Sequence, residues 1–135
     1  SALDSGRYHW SPPLPIFTAV IGWFLYLAGV IFSVWAMHIN RFFSSVVRIQ
    51  SDRGQYVVKE GPYRFVRHPG YSGMLLLCIA LPFCMTSLYA LIPCALTIIT
   101  LFIRTWLEDK TLISELEGYK QYTQGTKYRL IPFIW

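Results

Sequence analysis

Two long runs without a charged residue dominate the pattern of hydrophobic and polar positions along the chain. No Asp, Glu, Lys or Arg stands between Arg7 and Arg41, and the same holds from His68 to Ile103. About 20 consecutive apolar residues are enough to cross the hydrocarbon core of a bilayer. A chain of 135 residues has too little interior to bury two such runs. The pattern therefore predicts membrane-spanning helices rather than the core of a soluble protein.

Proline and small polar residues divide these runs into elements. The sequence PPLP at residues 12–15 suits the start of a helix, so the first predicted span covers about 15–37. The second run is too long for one ordinary span, and the polar break CMTSLY at 84–89, between Pro82 and Pro93, divides it. We therefore predict a hairpin of two short helices at about 71–86 and 88–104, with a connector at 38–70 and a tail at 105–135.

The tail predicts one further helix. In RTWLEDKTLISELEGYKQY, residues 104–122, Leu112, Leu116 and Tyr119 fall on one stripe, which indicates an amphipathic helix ending at Gly118 or Gly125. The expected fold class is therefore an all-α integral membrane protein in one domain, with one transmembrane helix, a helical hairpin and a C-terminal amphipathic helix. No basic segment precedes a hydrophobic one at the start, so we expect no secretory signal and take the chain as the C-terminal part of a larger helical bundle.

Charge sets the expected orientation and partners. The predicted spans make this a multi-pass protein. The connector and the tail carry the cations, and only Arg7 lies on the far side, so the positive-inside rule predicts that the connector and the tail are both cytoplasmic. A net charge of +5 could suggest nucleic acid, but these cations flank the spans, so membrane lipids and anionic small ligands are the expected partners and nucleic acid is not. The three cysteines lack metal-ligand spacing, so we expect packing residues and no metal.

The segment GPYRFVRHPGYSG, residues 61–73, gathers polar residues where the second run begins. Its Gly-Pro and Pro-Gly dipeptides exclude a plain helix, and irregular backbone at membrane depth is tolerated only where it lines a cavity. We expect Tyr63, Arg67, His68 and Tyr71 to point to one pocket for a polar, charged small molecule at the cytoplasmic face. Each residue taken singly also suits a structural role, as a membrane-interface anchor or a helix cap.

Arg104 and Glu108 are four residues apart and therefore share one helix face at the predicted membrane boundary. An ion pair facing solvent or lipid would explain them. Ionisable groups at membrane depth cost roughly 2.5–3.5 kcal/mol each on insertion, however, and usually serve a site. This cost makes the pair a candidate functional site.

Three stretches, VVRIQSDRGQYVVKEGPYRFVRHPGYSG, RTWLEDKTLISELEGYKQY and KYRLIPFIW, resemble the isoprenylcysteine carboxyl methyltransferase family of integral-membrane enzymes, which is similar to the phospholipid N-methyltransferases. The resemblance covers roughly residues 40–135. It implies S-adenosyl-L-methionine as cofactor in a helical membrane fold, and the chain has no Gly-rich loop of the soluble, Rossmann-like kind.

Carried over to this sequence, the resemblance implies a set of site residues. Arg104 would bind the carboxylate of the acceptor, and Arg104 and Glu108 would form the catalytic pair. The sequence departs from the family pattern at two places. Arg48 stands where the family tends to have a residue with an amide side chain, and Glu108-Asp109 stands in place of a longer acidic run. The implied cofactor contacts are Arg48, Gln55, Tyr56, Val57, Val58, Tyr63, His68, Pro69, Gly70, Tyr71 and Glu108.

The chemistry leaves the acceptor open. Methyl transfer from a sulfonium is an in-line displacement, so the protein mainly has to align donor and nucleophile. A carboxylate of a lipophilic, prenylcysteine-like acceptor needs no general base, and Arg104 would hold it in a bidentate contact. A phospholipid amine would need a base, for which Glu108 is the candidate.

Two other classes of protein also remain as alternatives. A membrane reductase using NADPH carries a similar Arg-His-Pro-Asn-Tyr motif, although Gly70 replaces the Asn here and Met74 stands where those reductases have an acid. A non-catalytic membrane scaffold is the other alternative.

Overall fold

The computed structural model describes residues 3–8, 10–12, 14–44 and 54–135, and these form helices joined by short connections. Four α-helices are numbered in chain order as α1, Ile16–Ile39; α2, Pro69–Cys84; α3, Leu91–Glu115; and α4, Tyr119–Gly125. A π-helical turn covers Asp4–Tyr8, and 3₁₀ turns cover Gly61–Arg64 and Leu88–Ala90. None of the described residues lies in a strand, which confirms the all-helical class.

Among the described residues, two stretches are long and apolar enough to cross a membrane. They are Ile16–Ile39, with 24 residues, and Leu88–Glu115, with 28 residues. Helix α2 has 16 residues, and at 1.5 Å per residue it is about 24 Å long, shorter than a bilayer core of about 30 Å. Together α2 and α3 form a hairpin in which the first helix is short and the second is long.

The tail helix does not run through Tyr119 as the stripe of apolar residues suggested. Helix α3 ends at Glu115, and the next residue, Leu116, has extended backbone angles of φ −98° and ψ 116°. Gly118 then takes a left-handed conformation, φ 80°, which a glycine adopts without steric cost, and α4 starts after it. The single helix predicted to end at Gly118 or Gly125 is therefore divided into α3 and α4, although Leu112, Leu116 and Tyr119 still line the same cleft across the break.

Small residues bring α1 and α2 into close contact. Gly22, Gly29 and Ser33 lie buried on one face of α1. A Cβ at Gly29 would lie 2.9 Å from the backbone oxygen of Gly73, and a Cβ at Gly73 would overlap the Ser33 hydroxyl. Helix pairs in membranes associate through such small residues, because lipid leaves packing rather than the hydrophobic effect to hold them together.

The last ten residues are bound to the start of α2. The backbone N–H groups of Arg67 and His68 donate to the carbonyls of Tyr128 and Arg129, both at 2.9 Å. The Ser72 hydroxyl donates to the Leu130 carbonyl at 2.6 Å. Leu130 is 1% exposed and packs in the core with Tyr71, Leu75 and Leu101. This segment therefore fixes the loop that carries the polar motif.

A buried carboxylate ties the N-terminal segment to the α2–α3 turn at the opposite end of the molecule. Asp4 is 1% exposed and accepts hydrogen bonds from the Ser11 N–H at 2.7 Å and from the Ser87 hydroxyl at 2.5 Å. The Ser11 hydroxyl in turn accepts from the N–H of Leu88 at 2.9 Å. The turn between the two hairpin helices is thereby held by side-chain oxygens.

Candidate functional site

An open cleft lies where the end of α1, the segment before α2, the last turns of α3 and the start of α4 meet. Aromatic rings supply much of its wall, and Glu108 and Arg67 supply opposite charges. In the GPYRFVRHPGYSG segment, Pro62 lies in the first positions of the 3₁₀ turn Gly61–Arg64, and Pro69 is the first residue of α2. His68 holds the N-cap position of α2, where its carbonyl, and not its side chain, accepts from the first turn of the helix.

Most of the residues expected at the site come together in this cleft. Gln55 and Pro69 adjoin lining residues along the chain but are not themselves among the lining residues. Arg104 contacts Tyr71 from beside the cleft, and Arg48 lies outside the described residues. The expected residues that line the cleft are Tyr56, Val57, Val58, Tyr63, His68, Gly70, Tyr71 and Glu108.

Tyr71 connects Arg104 to Glu108. Its hydroxyl donates to Glu108 Oε2 at 2.6 Å and accepts from Arg104 Nε at 2.7 Å. The guanidinium carbon of Arg104 also lies 5.6 Å from the centre of the Tyr71 ring. The four-residue spacing correctly put Arg104 and Glu108 on one side of α3, but the bridging phenol comes from α2.

His68 lies between two neighbouring carboxylates of α3. Its Nδ1 is 3.9 Å from Glu108 Oε1, and its Nε2 is 3.3 Å from Asp109 Oδ1. The imidazole is buried and stacks on the Tyr71 ring, with centroids 5.9 Å apart and an interplanar angle of 8°. Both ring nitrogens therefore face α3, which fixes the plane of the imidazole.

Asp109 is the residue that the sequence analysis missed. It is 1% exposed, and its Oδ2 lies 3.2 Å from Arg67 Nη1 and 2.9 Å from Arg129 Nε. Its Oδ1 accepts from the Tyr119 hydroxyl at 2.9 Å. Burial, with the Asp109 charge added, raises the pKa of Tyr119 well above its ordinary value, so this phenol remains a donor. Asp109 thus joins α3 to the segment just before α2, to α4 and to the C-terminal segment.

One sequence signal could have indicated Asp109. Arg67 and Arg129 stand beside apolar residues in segments that fold back on the spans, and buried arginines need an acidic partner. Glu108 and Asp109 are consecutive, so on a helix they point in different directions. Only one of them can share a face with Arg104, and the other is available for the two arginines.

Two further groups give the cleft its polar character. Arg67 is 8% exposed, and its Nε has no hydrogen-bond partner within the part of the chain that the structure describes. Burial raises the pKa of Tyr63 to about 12, although a hydrogen bond from Asn40 opposes the shift. Tyr63 therefore stays neutral at physiological pH. The cleft thus offers a carboxylate, a buried guanidinium donor and neutral phenols.

Comparisons with known proteins relate the sequence to one family. The model of the isoprenylcysteine carboxyl methyltransferase (ICMT) family matches residues 20–114. Similar curated proteins include two from rice, Oryza sativa subsp. indica and subsp. japonica, each named probable protein-S-isoprenylcysteine O-methyltransferase. Each is 26% identical over 121 residues, which cover 87% of this chain. The chain spans 63% of the length of these relatives.

Proposed function

Because this chain belongs to the isoprenylcysteine carboxyl methyltransferase family, we propose that it transfers a methyl group from S-adenosyl-L-methionine to the carboxylate of a lipophilic, prenylcysteine-like acceptor at the membrane. The observation that carries the proposal is the chain of hydrogen bonds that runs from Arg104 through the Tyr71 hydroxyl to Glu108. It joins a cation beside apolar surface to a carboxylate in a polar cleft. Such a series provides separate places for an anionic acceptor and a cationic donor.

The residues of the cleft fit the proposed cofactor. S-adenosyl-L-methionine carries a carboxylate, an ammonium, a sulfonium and an adenine ring, and when bound it supplies an electrophilic methyl group. The unpaired Nε of Arg67 suits an anionic oxygen, and the carboxylate of Glu108 suits a positive group. The rings of Tyr56 and Tyr63 offer faces for a flat heterocycle. His68 and Gly70, at the start of α2, border the same space.

Arg104 is suited to hold the acceptor. It is half-buried beside the Tyr71 ring, and its helix neighbours Ile103, Trp106 and Leu107 are exposed apolar side chains. A lipid-attached carboxylate could reach the guanidinium along this face while its chain stays against apolar surface. A planar guanidinium matches a carboxylate bidentately, which an ammonium does not.

The reaction needs alignment rather than proton transfer. A carboxylate is already a nucleophile, so no side chain has to remove a proton from it. Tyr71 holds Arg104 and Glu108 at fixed positions, and His68 stacks on Tyr71 to fix that ring. These contacts preorganise the acceptor position relative to the cleft, and well-aligned reactants account for much of an enzyme's rate.

The proposal places the protein across the membrane several times. Two candidate spanning helices and the family mark it as a membrane protein. We take α1 and the α2–α3 hairpin as membrane segments. The segments holding most of the Lys and Arg, before α2 and after Arg104, then face the cytoplasm. The cleft would open on that side, where the cofactor is made.

Ligand binding followed by product analysis tests the function. We expect the purified protein in lipid nanodiscs to bind S-adenosylhomocysteine and to form a base-labile methyl ester on S-farnesylcysteine. The matched acceptor control is S-farnesylcysteine amide, which lacks the carboxylate and should not react. Methylation of phosphatidylethanolamine instead would favour the amine alternative, with Glu108 as base. Binding of NADPH without S-adenosylhomocysteine would favour a reductase, and binding of neither would favour a scaffold.

A further inference from the structure

The closing turn, residues 129–135, forms several backbone hydrogen bonds within itself. The carbonyl of Trp135 accepts from the N–H groups of Arg129, Leu130 and Ile131 at 2.9–3.1 Å. The N–H groups of Ile134 and Trp135 donate to the carbonyl of Ile131 at 3.2 and 3.1 Å. Irregular backbone needs such internal pairing where water is scarce. Five of the backbone N–H groups in the turn are therefore paired without water.

Its side chains place the closing turn beside a candidate membrane span. The Trp135 ring lies 4.9 Å from the ring of Phe102, which precedes Arg104 by two residues in α3. Leu130 lies in the core with Leu101 and Leu75. The closing turn therefore lies along the span rather than beyond its end.

Two adjacent apolar side chains project outward from the closing turn. Phe133 is 86% exposed and Ile134 is 76% exposed. Phe133 also has a φ of 67°, which is unusual for a residue with a side chain, and its ring contacts the ring of Tyr128 with centroids 5.4 Å apart. Phe65, 61% exposed, lines a shallow groove together with Phe133. Water is a poor environment for such a group, whereas the acyl boundary of a bilayer is a good one.

Cations border this apolar group. Arg64 and Lys127 are exposed and line the groove together with Phe65 and Phe133. Apolar side chains flanked by Lys and Arg are typical of surfaces that lie in the headgroup region of anionic membranes. Charge complementarity therefore selects an anionic leaflet as the occupant of this surface.

We propose that the closing turn is an interfacial anchor that binds anionic lipid. Phe133 and Ile134 enter the acyl boundary, and Arg64 and Lys127 contact lipid phosphates. The anchor also supports the site, because the carbonyl of Arg129, the first residue of the closing turn, accepts the N–H of His68. The inference rests on the membrane placement of α3 given under the proposed function.

A fluorescent reporter tests the position of the turn. Cys78, Cys84 and Cys94 are replaced by alanine, and an environment-sensitive dye is attached at Phe133→Cys or, as control, at Gln124→Cys, an exposed position on α4. In nanodiscs we expect lipids with a nitroxide high on the acyl chain to quench the dye at 133 and an aqueous quencher to act on the dye at 124. Equal aqueous quenching at both positions would overturn the proposal, and so would protection at 133 from both quenchers, which would indicate a protein partner.

Lipid selectivity provides the second measurement. Nitroxide-labelled phosphatidylglycerol should quench the dye at 133 more efficiently than labelled phosphatidylcholine, with each cation contributing about fivefold in relative affinity. Arg64→Gln with Lys127→Gln should remove this preference, and equal quenching by both lipids in the unsubstituted background would overturn the anionic-lipid assignment.

S-adenosylhomocysteine binding, measured in the same nanodiscs, separates the two proposals. If S-adenosylhomocysteine binds and the dye at 133 is exposed to water, only the anchor proposal is rejected. If the dye at 133 lies in lipid and S-adenosylhomocysteine does not bind, only the proposed methyltransferase site is rejected.

Discussion

Replacing Asp109 by Asn should destabilise the protein strongly, because four groups converge on its carboxylate. The nearest buried cation is Arg67, whose side chain is 7% exposed, compared with 29% for Arg129. Removing one partner of a buried ion pair leaves an uncompensated charge and costs about 3–5 kcal/mol. The more exposed Arg129 adds less than about 1 kcal/mol. We therefore expect Asp109→Asn to lower the free energy of unfolding by about 3–5 kcal/mol.

Denaturant titration in detergent micelles measures this change, and a double-mutant cycle identifies its source. Adding Arg67→Met to Asp109→Asn removes both charges, so the double variant should recover about 2 kcal/mol relative to the sum of the single changes. Glu108→Gln is the matched control, since its carboxylate is 24% exposed, and it should cost less. The reasoning is refuted if Asp109→Asn costs less than about 1 kcal/mol or if the cycle shows no coupling.

Three further changes test other parts of the structure. His68→Ala should weaken S-adenosylhomocysteine binding about tenfold by calorimetry, because it removes a ring that lines the cleft, and unchanged affinity would remove His68 from the site. Tyr71→Phe keeps the ring but deletes the hydroxyl bonded to Arg104, so kcat should fall while cofactor affinity changes little; equal activity would contradict the bridging role. Gly73→Ala should cost about 1–3 kcal/mol in unfolding because a Cβ meets α1. At Gly125 a Cβ meets nothing within 4 Å, and a similar cost for Gly125→Ala would contradict the packing argument.

The helices were predictable because their signals are local. Uncharged runs and prolines gave the all-helical class, and the Gly-Pro and Pro-Gly dipeptides correctly indicated an irregular segment before α2. The second helix of the predicted hairpin extends to Glu115 and not only to 104, and its end was not predicted, since a stripe of apolar residues continues past the extended Leu116 and the left-handed Gly118. The same stripe faces the cleft from both sides of that break.

The contacts inside the site were less predictable because they depend on long-range pairing. The sequence indicated Arg104 and Glu108 by spacing, but the Tyr71 hydroxyl that joins them comes from a helix 33 residues away from Arg104. Asp109 was overlooked because its partners, Arg67 and Arg129, lie on two other segments. Neither the Tyr71 bridge nor the ion pairs of Asp109 follow a helical spacing that could be recognised in the sequence. Composition likewise gave no reason to expect the last residues to hold the start of α2.

Methylation of a prenylcysteine by the Arg104→Lys variant tests the central claim most directly. Nanodisc-embedded protein is given S-adenosyl-L-methionine with a labelled methyl group and S-farnesylcysteine, and base-labile methyl ester is counted. We expect Arg104→Lys to lose most of its turnover while its dissociation constant for S-adenosylhomocysteine stays within about twofold, since Lys keeps the charge but not the bidentate geometry. Full ester formation by Arg104→Lys, or label found on an amine instead of the carboxylate, would contradict it.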